Sequence, residues 1–144
     1  MKAKSVGFIG GGRVTRILLG GFRKKEKSFE DVVVSDNNEE ALKKITATFP
    51  RAVTCINGNA QAAARDIVFL ALHPPAIGSI LEEIKPHLHS RSVLVSLAPK
   101  ASIVGLSKGL GGFGRIVRMI PNAPSAVKKG YDAYPFSGAS EEGR

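Results

Sequence analysis

The stretch Val6-Gly7-Phe8-Ile9-Gly10-Gly11-Gly12-Arg13-Val14-Thr15 decides how this chain folds. Val6 to Ile9 is a short apolar run with the length of a buried strand, and it ends in glycine. Beyond the glycines, Val14, Ile17, Leu18 and Phe22 recur at helical spacing. A strand, a glycine turn and an amphipathic helix in direct succession form the first half of a βαβ unit. Within the turn, Gly10-Gly11-Gly12-Arg13-Val14-Thr15 reads as G-x-G-x-x-T. Gly10 permits the tight turn, and Gly12, lacking a Cβ, lets backbone approach a pyrophosphate. The helix start that follows offers unpaired N–H groups and the positive end of a dipole to phosphates. Thr15 stands where the pattern prefers Gly or Ala, and its bulk argues against the closest helix–strand packing. The competing reading is a glycine turn without a ligand.

Outward from this turn the alternation continues. Val32 to Val34 is a β-branched strand, and Asn38 is placed to cap a helix through Phe49 that Pro50 terminates. Ala52 to Ile56 reads as a weak strand and Asn59 to Arg65 as a short alanine-rich helix. Ile67 to Leu72 is an apolar run expected of a strand buried on both faces. Pro74-Pro75 opens a helix carrying Ile77, Ile80, Leu81 and Ile84, and Val93 to Val95 is a fifth strand. Ser102 caps a helix Ile103 to Leu110 closed by Gly111-Gly112, and Arg115 to Ile120 is a sixth strand. Strands alternating with helices imply right-handed crossovers and an α/β doubly wound parallel sheet of about six or more strands. Ligands of such a sheet bind beyond the carboxyl ends of its strands.

With 144 residues the chain fits one domain, and its 43% hydrophobic and 23% charged residues describe a soluble globular protein rather than a disordered one. We place that domain at residues 1–135, with 136–144 as a flexible tail or the start of a linker. No apolar run reaches the ~18 residues of a membrane span. The single cysteine, Cys55, excludes an internal disulfide framework and fits a reducing, cytoplasmic setting; it reads as a small buried hydrophobe. Twenty-one Lys and Arg against 12 Asp and Glu give a net charge of +9, which attracts anions without choosing among them. With no Trp and only two Tyr, the stacking platforms of a nucleic-acid binder are missing. No nucleic-acid or membrane partner is expected. His87 and His89 lack a Cys or carboxylate at ligand spacing, so they read as surface residues and no metal site is expected. Met119 reads as core.

Ser35-Asp36-Asn37 lies about 20 residues beyond the glycine turn, where an acidic residue accepts hydrogen bonds from adenosine ribose hydroxyls. Asp36 there repels a 2′-phosphate, and no Arg follows closely to bind one. The pattern admits NAD(H). The alternative is that Asp36 serves the helix that begins near Asn38.

IGGGRVTR (Ile9–Arg16), FLALHPP (Phe69–Pro75), LVSLAPKASI (Leu94–Ile103) and IVRMIPNAPSAV (Ile116–Val127) occur in this order. The series resembles the N-terminal cofactor domain of pyrroline-5-carboxylate reductases, within a broader group of nicotinamide- and deazaflavin-linked oxidoreductases. The resemblance implies a Rossmann fold, NADP(H) or NAD(H) as cofactor, and hydride transfer to or from a small imine or related metabolite. It implies that Gly10, Gly12, Arg13 and Val14 form the pyrophosphate loop and that Ser35 and Asp36 face the adenosine ribose, with Asn59 a further candidate there. It also implies that Ala71, Leu72, His73 and Pro74 pass under the cofactor, that Ala98 lies near the nicotinamide, and that Asn122 lies near the nicotinamide and the substrate. No catalytic acid or base is assigned.

The sequence departs from that family at several of these places. His73 stands where the family usually has Lys, Asp36 where it often has Arg, Ala123 where Thr is common, and Pro99-Lys100 where it has small residues and Gly. The family's all-helical, dimerising domain is expected to be needed for a complete substrate pocket and for a homodimer or larger assembly. The 144 residues alone are therefore expected to bind cofactor but turn over poorly. A non-catalytic nucleotide-binding or sensor module is the second reading of the same pocket.

Overall fold

The computed structural model describes residues 5–23, 31–72, 77–98 and 101–119. Six strands, β1 (Ser5–Ile9), β2 (Asp31–Asp36), β3 (Val53–Ile56), β4 (Ile67–Leu70), β5 (Val93–Ser96) and β6 (Ile116–Arg118), form one sheet. Its order is β3-β2-β1-β4-β5-β6 and every pairing is parallel. Among the described residues five α-helices cover it: α1 (Arg13–Arg23), α2 (Glu39–Thr48), α3 (Asn59–Ala63), α4 (Ile77–Ile84) and α5 (Ile103–Gly109). The chain winds outward from β1 to β3, then crosses to β4 on the other side of β1. The strand order therefore reverses between β1 and β4, which opens a crevice at the carboxyl ends of those two strands.

Strand alternation explains why the strands read as continuous apolar runs. Val6 and Phe8, Val32 and Val34, Phe69 and Val95 face α1 and α2, where Leu18, Leu19, Leu42, Ile45 and Phe49 meet them. Ile9, Val33, Val68, Leu70, Leu94 and Ile116 face α3, α4 and α5, against Ala62, Ala63, Leu81, Ile84 and Leu106. Along β1, β2, β4 and β5, where both faces are covered, successive inner residues are buried. Phe8 and Phe69 stack across β1 and β4 with ring centroids 4.7 Å apart and planes 9° from parallel. Met119 is buried, as expected of core.

Boundaries differ from the sequence expectation in instructive ways. Asn38 caps α2 as predicted, its side chain accepting from the N–H groups of Glu40 and Ala41. Helix α3 stops at Ala63 rather than Arg65, because Arg65 and Asp66 turn into contacts below the sheet. Strand β4 ends at Leu70 rather than Leu72: the Ala71 N–H still bonds the Ile9 carbonyl, but there the glycine turn leaves the sheet and no strand remains to pair. Cys55 is only half-buried, since β3 is an edge strand. His87 is exposed, whereas His89 is half-buried beside Asp66, with Nε2 3.7 Å from Oδ1. The helix start at Pro74-Pro75, the end of the sixth strand at Ile120 and the tail 136–144 lie outside the described residues.

Candidate nucleotide-binding site

At the crevice the glycine turn is held by its own neighbours. The Gly10 N–H donates to the Ser35 carbonyl at 2.8 Å, which ties the turn to the end of β2. Gly10 adopts φ +109°, and a Cβ at that position would overlap the Ala71 carbonyl beyond β4. Only glycine satisfies both the dihedral and the space. The Gly11 N–H donates to Asp36 Oδ2 at 2.7 Å, while Asp36 Oδ1 accepts from the Asn38 N–H at 2.9 Å. One carboxylate thus joins the glycine turn to the start of α2. The alternative reading of Asp36 holds in part: it orders the turn before the helix, although the cap itself is Asn38.

Thr15 is fully buried, and its hydroxyl donates to the Gly10 carbonyl at 2.6 Å. The bulk that argued against close packing at this position is accommodated by a hydrogen bond that fixes the turn. The closest helix approach to β1 comes from α3 instead. A Cβ on Gly7 would overlap the Ala62 carbonyl, so that glycine lets the helix settle directly on the strand.

What remains open is the start of α1. The first helical bond runs from the Arg16 N–H to the Gly12 carbonyl at 3.1 Å, so the amides of Arg13, Val14 and Thr15 precede the ladder. A Cβ on Gly12 would meet nothing within 4 Å, and Arg13 is exposed. A clear approach, unladdered amide hydrogens and the positive end of an eleven-residue helix suit an anionic diphosphate.

The other predicted positions follow the same edge. Val14, Ala71 and Leu72 are half-buried, and Ala98 is buried just past the end of β5, its N–H on Ser96 Oγ at 3.3 Å. Ser35 is fully buried: its hydroxyl points inward and donates to Asn59 Oδ1 at 2.7 Å, so Asn59 is the member of that pair that reaches the surface. His73, Pro74 and Asn122 lie outside the described residues. Sequence reasoning did not single out Gly11, Asn57 or Glu83. Gly11 lay between two fingerprint glycines. The turn pair Asn57-Gly58 was a legible signal for the φ of +54° that Asn57 adopts as its N–H reaches the Asp36 carbonyl. Glu83 had no local signal at all. Among the described residues no three His, Cys, Asp or Glu are grouped to hold a metal ion, and no helix is long and apolar enough to cross a membrane.

Fold and crevice together define a doubly wound dinucleotide-binding domain of the Rossmann type. The model of the family described as "NADP oxidoreductase coenzyme F420-dependent" matches residues 5–100, and the chain belongs to that family. It is 30% identical over 131 residues to the pyrroline-5-carboxylate reductase of Pseudomonas aeruginosa, covering 90% of this chain and 47% of that protein. The pyrroline-5-carboxylate reductase of Coxiella burnetii superposes with a TM-score of 0.73 at 28% identity, over 88% of this chain and 46% of that one. The Plasmodium falciparum pyrroline carboxylate reductase, solved with NADP bound, shares the fold with a TM-score of 0.74 at 23% identity, over 99% of this chain and 52% of that one. The chain thus spans about half the length of the relatives it matches.

Proposed function

We propose that this chain is the cofactor-binding half of a nicotinamide-dependent reductase that moves hydride between NAD(H) or NADP(H) and a small cyclic imine or related metabolite. The observation that carries the reading is the open start of α1 beside a glycine turn locked from three sides, by Ser35, Asp36 and Thr15. A site whose donors are already rigid loses little on binding, and this is how a protein orients a reactive ring it does not itself supply. The likeness to pyrroline-5-carboxylate reductases supports the substrate class.

In this reading Gly10, Gly12, Arg13 and Val14 serve the diphosphate, and Asp36 and Asn59 line the adenosine ribose with Ser35 behind them. Ala71, Leu72, His73, Pro74 and Ala98 form the floor toward the nicotinamide, and Asn122 meets the substrate. The cofactor supplies the hydride. The domain occupies residues 1–135, its setting is cytoplasmic, its partner is a small molecule rather than nucleic acid or membrane, and dimerisation belongs with a further helical domain. Asp36 favours NAD(H): a carboxylate suits a ribose diol and opposes a 2′-phosphate.

Isothermal titration with NAD, NADH, NADP and NADPH tests the proposal. Saturable binding of at least one coenzyme is expected, with NAD(H) tighter than NADP(H). No heat with any of the four would overturn the reading, and tenfold tighter NADP(H) would overturn the role given to Asp36.

A further inference from the structure

A line of polar side chains runs outward from the buried end of β2 to a helix that the proposed site does not otherwise use. Ser35 Oγ donates to Asn59 Oδ1 at 2.7 Å, and Asn59 Nδ2 donates to Glu83 Oε1 at 3.0 Å. The three residues belong to β2, α3 and α4, and each is 24 positions from the next in sequence. Ser35 is fully buried, Asn59 half-exposed and Glu83 exposed.

The direction of this line is set by its outer end. An asparagine amide can turn over, presenting either its oxygen or its nitrogen to a given neighbour. An ionised carboxylate only accepts. With Glu83 on the outside, Asn59 keeps its nitrogen toward α4 and its oxygen toward β2, and the Ser35 hydroxyl must spend its proton on that oxygen. Asp36, the next residue along β2, likewise only accepts, and its two oxygens already take the N–H groups of Gly11 and Asn38. Two carboxylates therefore stand along this line, Glu83 of α4 bonded to Asn59 and Asp36 next to Ser35 on β2, and the Asn59 oxygen is held toward the strand. Two negative charges close to this line oppose an acceptor-only dianion, while a neutral hydroxyl meets no such repulsion.

We propose that Glu83 is a positioning and specificity-determining residue, which acts through Asn59 to bias the end of β2 toward a 2′-hydroxyl and against a 2′-phosphate. The inference rests on the reading that the chain binds a nicotinamide dinucleotide, and it adds to Asp36 a second determinant that acts at one remove. Replacing Glu83 by Gln removes the negative charge and lets either end of the new amide face Asn59, so the amide of Asn59 is no longer held in one orientation. Replacing it by Lys adds a positive charge at the same place.

Calorimetric titration of the wild type, Glu83→Gln and Glu83→Lys with NADH and NADPH reads the ratio of the two affinities. The ratio is expected to move toward NADPH by about threefold in Glu83→Gln and further in Glu83→Lys. Thermal melts of the free proteins run alongside. A ratio that stays constant in both variants overturns the proposal. So does an equal loss for both coenzymes, which is the signature of a merely structural contact. A wild type that binds neither coenzyme overturns the dinucleotide reading and this inference with it, whereas a binding wild type with an unmoved ratio overturns this inference alone.

Discussion

The two ends of the sheet carry similar residues and use them in opposite ways. Below the amino ends of the strands, Asp66 accepts from the Ser5 N–H at 3.2 Å, and its own N–H donates to Ser5 Oγ at 2.9 Å. Arg65 meets Asp31 at 2.7 Å, and Ser92 Oγ links the Arg65 carbonyl to the His89 N–H. There, donors and acceptors consume one another and strands are pinned at their starting points. At the carboxyl ends, Asp36 and Thr15 consume the polar groups of the glycine turn but leave the first amides of α1 outside the ladder. A carboxylate ties a neighbouring strand or turn at each end. What separates a structural end from a binding end is therefore not residue type. It is whether a helix begins there with its amides facing open space.

Four substitutions would break or sharpen this contrast. The largest effect belongs to Gly10→Val, which places a β-branched residue at φ +109° against the Ala71 carbonyl. It should cost about 3 kcal/mol or more of stability, read by urea unfolding, and abolish coenzyme binding. Asp36→Ser comes next. It removes the charge opposing a 2′-phosphate, and the ratio of NADP(H) to NAD(H) affinity should rise by about thirtyfold, which is ~2 kcal/mol. Gly12→Val places side-chain atoms where a Cβ meets nothing. It should change stability by less than about 0.5 kcal/mol while weakening NADH binding about tenfold, because the new atoms stand over the helix start. At the opposite end, Arg65→Ala breaks a partly exposed ion pair with Asp31. It should lower stability by about 0.5–1 kcal/mol and leave coenzyme affinity unmoved. Loss of affinity in Arg65→Ala, or unchanged affinity in Gly12→Val, would erase the distinction between the two ends.

Much of the architecture was legible because it follows from local periodicity. Val32 to Val34 and Ile67 to Leu70 have to be strands covered on both sides, and Asn38 before Glu39 and Glu40 has to start a helix. The glycine turn was legible because only a few residues can turn so tightly, and they are adjacent in the chain. The polar arrangement around it was not. Thr15 looked too large for its place until its hydroxyl was seen on the Gly10 carbonyl. Ser35 looked like a residue facing the ribose, yet its side chain points inward to Asn59. His89 keeps 40% of its side chain exposed, as a surface residue does, but its neighbour Asp66 was not visible in the sequence.

The sequence by itself determined the kinds of elements, their alternation and the place where the first helix begins, because these depend on neighbours within a turn or two. Tertiary structure alone decided that β4 lies beside β1, that Asp36 reaches Gly11 from 25 residues away, and that Glu83 on α4 reaches Asn59 on α3. Hydrogen bonds between distant side chains depend on which strands and helices become neighbours. That choice is made by the hydrophobic packing of the whole sheet, and no short window of residues contains it.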